Sequence, residues 1–189
     1  YSLDSSDGSI STLQWEAGNL IPAHTSRDIF TYDPTDVSGA PGRQFLWDVN
    51  ELNAAQMAAL NTNAAGVADL SGQEKGSQRL AWMRGDVSQE RANGGLFRDR
   101  STLLGDVINT DPWFVGDQDF GYAALPSTEG SSYLTYRSSS AYLNRAPMLF
   151  VGANDAMLHG FHAGTGVEQF AYVPSALFPR LSKLADPDY

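Results

Sequence analysis

Between Val151 and Pro174 three short strand-like runs alternate with two turn signals, a layout that restricts the fold more than any other feature of the sequence. Met148 to Asn154 reads as one strand, and Asn154-Asp155 opens a tight turn. Met157 to Ala163 returns as a second strand, Gly164-Thr165-Gly166 makes a second corner, and Glu168 to Val173 supplies a third strand. Turn chemistry at both corners, with strand-length runs between them, predicts a three-stranded antiparallel meander.

The rest of the chain repeats this grammar. Further turns are signalled at Asp7-Gly8, Ser38-Gly39, Pro41-Gly42 and Asn93-Gly94-Gly95. Between them lie β-branched and aromatic runs, Asp28 to Tyr32, Gln44 to Trp47 and Trp113 to Gly116, suited to a half-buried pleated ribbon. Pro112-Trp113-Phe114-Val115-Gly116 and Pro147-Met148-Leu149-Phe150-Val151-Gly152 echo one another 35 residues apart. That spacing falls a little under the ~40–45 residues of a four-stranded propeller blade. Two helices interrupt the pattern, at about 53–61 and 77–85. Asn53 is placed to cap Ala54 to Leu60, with Leu52 and Met57 as a hydrophobic staple. Ser77 is expected to cap Gln78 to Arg84, with Gly85 at the C′ position. A third short helix is expected from Ser175 to Leu184, with Leu177, Leu181 and Leu184 on one face and Pro179 as a disturbance. The polar, Ser- and Tyr-rich stretch at about 121–144 reads as an inserted loop.

Composition excludes several functions. Twelve Lys and Arg stand against 22 Asp and Glu, a net charge of −10. Nucleic-acid binding needs cations that displace counterions from phosphate, and docking on anionic lipid needs the same sign. The chain has no cysteine, so disulfides, thiol catalysis and zinc–thiolate sites do not arise within it. No apolar run of 18 residues appears, so no segment reads as a spanning helix. The sequence opens on Tyr1 rather than Met, and the expectation is a piece of a longer protein.

The motif from Gly152 to Glu168, Gly-Ala-Asn-Asp-x-Met-Leu-His-x-Phe-x-Ala-x-Thr-Gly-x-Glu, resembles the blade repeat of quinoprotein-type propellers. Asn19 to Pro22, Arg27 to Tyr32, Trp82 to Asp86, Phe97 to Arg100 and Leu104 to Asn109 precede it in order. Together they resemble the PilC/PilY family of type IV pilus tip-associated adhesins and assembly factors. The resemblance implies a mainly β fold: the front part of a partial, modified, quinoprotein-like β-propeller with helical insertions, spanning 1–189. Two positions depart from the repeat. Ala156 stands where Gly usually follows Asn-Asp, and a left-handed backbone there would cost about 1 kcal/mol, so a different turn type is expected. His162 stands where an Asp often precedes Ala.

Candidate chemistry is sparse. Arg84-Gly85-Asp86 spells a receptor-recognition tripeptide, yet Arg84 falls in the last turn of a helix and Gly85 at its cap, which is an architectural use. The histidines are His24, His159 and His162; on a strand the last two point to opposite faces, so no metal site is expected. The family's Asp-rich calcium loop is expected beyond Tyr189. The nearest candidates here, Asp4-Ser5-Ser6-Asp7-Gly8 and Asp117-Gln118-Asp119, do not complete a calcium-loop pattern. No Gly-x-Ser-x-Gly elbow occurs, and Asp106 with Asp111, or Asp86 with Glu90, are the nearest paired carboxylates.

The expectation is therefore no enzyme and no cofactor in this segment. The resemblance implies a role at the cell surface of a Gram-negative bacterium, at the pilus tip or outer membrane, in pilus biogenesis, twitching motility and attachment. It implies as partners minor pilins of the tip, host or abiotic surface receptors, and the remainder of the propeller. Two rivals share the blade repeat: a generic envelope scaffold, and a pyrroloquinoline quinone dehydrogenase. The second would require a quinone-sandwiching Trp, calcium-ligating Asn and Glu, and an adjacent cysteine pair that this chain lacks.

Overall fold

The computed structural model describes residues 2–3, 6–7 and 9–189. At its centre is a six-stranded sheet. The expected meander forms its middle as β6 (Met148–Gly152), β7 (Leu158–His162) and β8 (Glu168–Tyr172), each antiparallel to the next. β5 (Trp113–Val115) pairs antiparallel with β6, so 113–172 makes a four-stranded up-and-down unit. On the far side, β3 (Ile29–Tyr32) joins β8 in parallel and carries β4 (Gly42–Gln44) as a hairpin partner. Thr31 fastens that parallel seam, its hydroxyl donating to the Val173 carbonyl at 2.8 Å. Two short strands, β1 (Ser2–Leu3) and β2 (Ile10–Thr12), pair separately.

Alternation sorts the strand residues cleanly. Val151, His159, Ala171 and Ile29 lie opposite one another across four strands and are all buried. Helices cover the β3–β8 end of this face: α1 (Ala54–Leu60), α2 (Gly76–Arg84) and α5 (Phe178–Leu184). Leu60, Leu80, Trp82, Phe178 and Leu181 pack there against Ile29, Ala171 and Val173.

The α1 expectation holds in detail. Asn53 Oδ1 accepts from Gln56 N at 2.9 Å and Gln56 Oε1 from Asn53 N at 3.0 Å, a closed capping box. α2 starts earlier than expected, at Gly76: the Asn61 side chain accepts from Gly76 N at 2.7 Å and so does the work assigned to Ser77. A Cβ at Gly76 would lie 2.4 Å from Trp47, so only glycine fits that approach. Gly85 closes α2 in the left-handed conformation, as expected. The third helix divides into a 3₁₀ turn (Ser175–Leu177) and α5, with Pro179 in the first turn, where the missing N–H costs nothing.

Three further expectations need correction. The Gln44–Trp47 run is a strand only at its start: Gln44 ends β4, Phe45 N still donates to the Ile29 carbonyl at 2.7 Å, and the Phe45 ring turns inward, fully buried and edge-on to Phe178 at 5.9 Å. The stretch 121–144 is helical rather than a loop: a 3₁₀ turn (Tyr122–Ala124), α3 (Thr128–Arg137) and α4 (Ser140–Leu143). Ser131, Ser132 and Thr135 fold their hydroxyls back onto carbonyls three or four residues earlier, which satisfies these polar groups inside the helix. The turn after β6 keeps the left-handed backbone, with Ala156 at φ 68°, rather than changing type.

Candidate functional site

The β6–β7 turn and the two strands after it carry the densest polar cluster. Asp155 Oδ1 accepts from Met157 N at 3.1 Å and thereby sets the turn, while Asp155 Oδ2 accepts from Gly105 N at 3.0 Å. Asn154 N donates to the Asp106 carbonyl at 3.0 Å, so the 104–106 segment is strapped to the turn at two points. A Cβ at Gly105 would meet Asp155 N at 2.5 Å, which reserves that position for glycine.

One strand position inward sits His159, fully buried and stacked on Phe161. Its Nε2 lies 3.1 Å from both Asp155 oxygens and its Nδ1 lies 2.7 Å from Glu168 Oε1. Glu168 in turn takes a bidentate pair from Arg27, 2.7 Å from Nε and 2.8 Å from Nη2. Burial pushes the imidazolium down, but the two carboxylates outweigh it and raise His159 to about 9. Burial pushes Glu168 up, and bonds from His159 and Arg27 with their charges overcome it, holding the carboxyl below its ordinary value. The ring is therefore an imidazolium at neutral pH, with both nitrogens donating.

The chain of charges continues through Arg84, which is also buried. Arg27 Nη1 donates to the Arg84 carbonyl at 2.9 Å. The Arg84 guanidinium donates to the carbonyls of Phe45 at 3.0 Å, His24 at 3.0 Å and Arg27 at 2.8 Å. The Arg84-Gly85-Asp86 triplet is thus placed with its cation pointing into the protein, its glycine as a helix cap, and the Asp86 carboxylate accepting from Ser88 N at 2.8 Å. The role of Gly85 is legible in the local sequence, whereas the three loop carbonyls that Arg84 bonds come from 39 to 60 residues away.

The remaining candidates go to separate structural tasks. His24 contributes its carbonyl to Arg84, and His162 caps its own turn through Nδ1, 3.2 Å from both Gly164 N and Thr165 N. Glu90 pairs with Arg100 at 2.7 Å, and Arg100 also reaches the Asp86 carbonyl, so these two acidic residues gather around a cation. Asp119 accepts from Gly121 N and Tyr133 Oη and pairs with Arg137 at 3.2 Å, organising the helical insertion. Asp106 gives its backbone to Asn154 and lies apart in role from Asp111. The Asp4–Gly8 candidate lies outside the described residues, which omit Asp4, Ser5 and Gly8. Among the described residues no three His, Asp or Glu side chains come together as a metal-binding group. No helix among them is long and apolar enough to cross a membrane.

Beside the network opens a cleft of about 210 Å³ between Trp82, Arg98, Leu104, Asp106, Asp155 and Tyr189. Its Trp82 floor is used from within: Arg100 lies over that ring at 3.9 Å and Arg98 at 5.6 Å. Every hydrogen-bonding atom of His159 is likewise consumed inside the network, which leaves no ring nitrogen for a substrate or a metal. The arrangement can do one thing well, which is to lock the first turn of the meander, the 104–106 strap, β3's approach and the end of α2 into one body.

Comparison with known proteins agrees with the region so defined. A family model described as the PilY1 beta-propeller domain matches residues 104–189, the part that contains β5 to β8 and α3 to α5. Over the whole chain, a type IV pilus biogenesis factor PilY1 from Pseudomonas aeruginosa strain PAK is 38% identical across 194 aligned residues. The corresponding protein of strain UCBPP-PA14 is 34% identical over the same length, and a PilY1 homolog from Xylella fastidiosa is 34% identical over 86% of the chain. The chain spans 16% of the length of the Pseudomonas proteins and 14% of the Xylella one. No solved structure matches it. With a family-specific domain over the meander and whole-chain similarity at this level, the chain belongs to the PilY1 family.

Proposed function

We infer that this chain is a rigid, non-catalytic part of an exported pilus-associated protein that supports type IV pilus biogenesis. The observation that carries the reading is the closed charge network. His159 spends both nitrogens on Asp155 and Glu168, and Glu168 spends its carboxylate on His159 and Arg27, so the most chemically equipped cluster holds segments together. The relatives' name, type IV pilus biogenesis factor, supplies the biological setting.

Within that setting the protein acts by binding rather than turnover, at the pilus tip or outer-membrane surface. Minor pilins and surface receptors are its proposed partners, and twitching and attachment the processes it serves. The sheet belongs to a propeller whose other blades complete the ring. Inserted segments such as 117–145 would present contact surface, because they project exposed Tyr122, Leu134, Tyr136 and Leu143 from a fixed base. The test is deletion of the gene, with surface pili and twitching zones measured and the intact gene restored in trans. Loss of both, recovered on restoration, is expected; normal pili and normal twitching in the deletion strain would overturn the reading.

A further inference from the structure

Two cations line the cleft beside the charge network, and they are used differently. Arg100 is neutralised by Glu90 at 2.7 Å and donates further to the carbonyls of Trp82 and Asp86. Arg98 is held as firmly but has no counter-charge. Its backbone N donates to the Ala185 carbonyl at 3.0 Å, and its own carbonyl accepts from Trp82 Nε1 at 3.2 Å. Its side-chain Nε donates to the Leu184 carbonyl at 3.1 Å. The guanidinium carbon lies 5.1 Å from the Tyr189 ring centroid and 5.6 Å from that of Trp82, so two rings and a carbonyl fix the group in place. Among the described residues nothing bonds Arg98 Nη1 or Nη2. The buried side-chain nitrogens without a partner belong to Arg137 and Arg145 alone, so those of Arg98 meet open space. Acids outnumber bases 22 to 12 in this chain, and five of its ten arginines take a carboxylate partner. Arg98 takes none of them.

We propose that this cleft binds one carboxylate of a peptide, clasped by Nη1 and Nη2 of Arg98. A guanidinium presents parallel N–H groups in a plane that matches the two oxygens of a carboxylate, and Arg27 already shows that pairing with Glu168 in the same protein. Arg98 is half-buried and held before any ligand arrives, so little side-chain freedom remains to be lost on binding. The charge pattern narrows the ligand to a single negative charge. Asp106 and Asp155 line the same cleft, and the Asp106 carboxylate has no hydrogen-bond partner among the described residues. A phosphate or sulfate dianion would meet that repulsion twice over, in a chain of net charge −10. Size narrows it further, because about 210 Å³ is below the volume of ordinary small-molecule pockets and suits one residue. Tyr189, 64% exposed, leaves the cleft open to solvent, so the rest of a peptide can stay outside while one residue enters. An acidic side chain and a chain end carry the same group, and both fit this description.

The test is saturation-transfer difference NMR on the full-length protein with three probes. N-acetyl-aspartic acid amide offers a side-chain carboxylate, N-acetylglycine offers a chain-end carboxylate, and N-acetyl-asparagine amide is neutral. Saturable binding of a carboxylate probe is expected, with none from the neutral one, and the tighter of the two acids identifies the source. Silence from both acids, or equal binding of the neutral probe, would overturn the proposal. Inorganic phosphate or sulfate that competes as well as the carboxylates at equal ionic strength would overturn it too, by making the cleft a general anion site. Arg98→Gln should weaken binding at least tenfold, while Arg180→Gln, which removes an exposed arginine on α5, should leave it unchanged. Equal loss in both variants counts against a specific clasp. Asp106→Asn gives a reading of opposite sign that does not depend on Arg98→Gln folding. It removes a repelling charge and should tighten binding roughly threefold; unchanged or weaker binding contradicts the charge argument. No pilus count enters this readout, so the inference and the pilus reading stand or fall separately.

Discussion

Ala156 holds a φ of 68°, a left-handed backbone that costs a side chain with a Cβ about 1 kcal/mol relative to glycine. Asp155 enforces it by accepting from Met157 N across the turn and from Gly105 N on the strap. Ala156→Gly is therefore expected to stabilise the protein by about 0.5–1 kcal/mol, visible as a higher urea midpoint with an unchanged slope. A midpoint that falls would show that the methyl contributes more to packing than it costs in backbone strain. At the other end of the network, Glu168→Gln leaves Arg27 and His159 buried without their shared counter-charge. The expected loss is about 3–5 kcal/mol, because breaking one partner of a buried pair strands the other. The sequence displayed Ala156 as a departure from pattern, and displayed His159 and His162 as separate. It did not display the network, because Arg27 and Glu168 are 141 residues apart and nothing local announces their meeting.

Elements whose signals are local were the legible ones. The Asn53–Gln56 capping box and the Gly85 cap follow from residues within four positions of each other, and the three central strands pair over at most 14 positions through two short turns. Asn53→Ala is expected to cost about 1 kcal/mol, measured by urea unfolding; no change would mean that the buried Leu52 and half-buried Met57 hold α1 unaided. The 121–144 stretch was illegible for the opposite reason. Its Ser and Thr content argues for turns, and its helix depends on long-range ties, Tyr142 Oη to the Gln118 carbonyl at 2.7 Å and Tyr133 Oη to Asp119 at 3.0 Å. Buried Gly130 seals the packing, since a Cβ there would lie 2.5 Å from the Ala123 carbonyl. Gly130→Val should therefore unravel α3, seen as loss of protection from protease between 122 and 143 while β6 to β8 stay protected. Equal protection in both proteins would contradict that packing role. The parallel seam of β3 on β8 was equally hidden, because the pairing joins residues 142 apart in sequence, Ile29 with Ala171 and Phe30 with Tyr172, and only tertiary packing selects it.

In the whole molecule the charge network is the joint between the helical layer and the meander, and a joint made of titrating groups sets a pH profile. His159 is raised from 6.5 to about 9 in the folded protein, so its contribution is complete below 6.5 and is lost as pH climbs through 9. Glu168 is held below its ordinary 4.5, so its contribution is present above that value and is lost as pH falls below it. Stability is thus expected to be greatest between about pH 5 and 6.5 and to decline on both sides. The alkaline loss has an upper size of about 3 kcal/mol if the full shift is realised. The direct measurement is the unfolding free energy by urea titration from pH 6 to 9.5, for the native protein and for His159→Gln. The native curve is expected to fall steadily across that range and the variant curve to be lower and nearly flat; a flat native curve, or two curves that fall in parallel, would contradict the network's role as that joint.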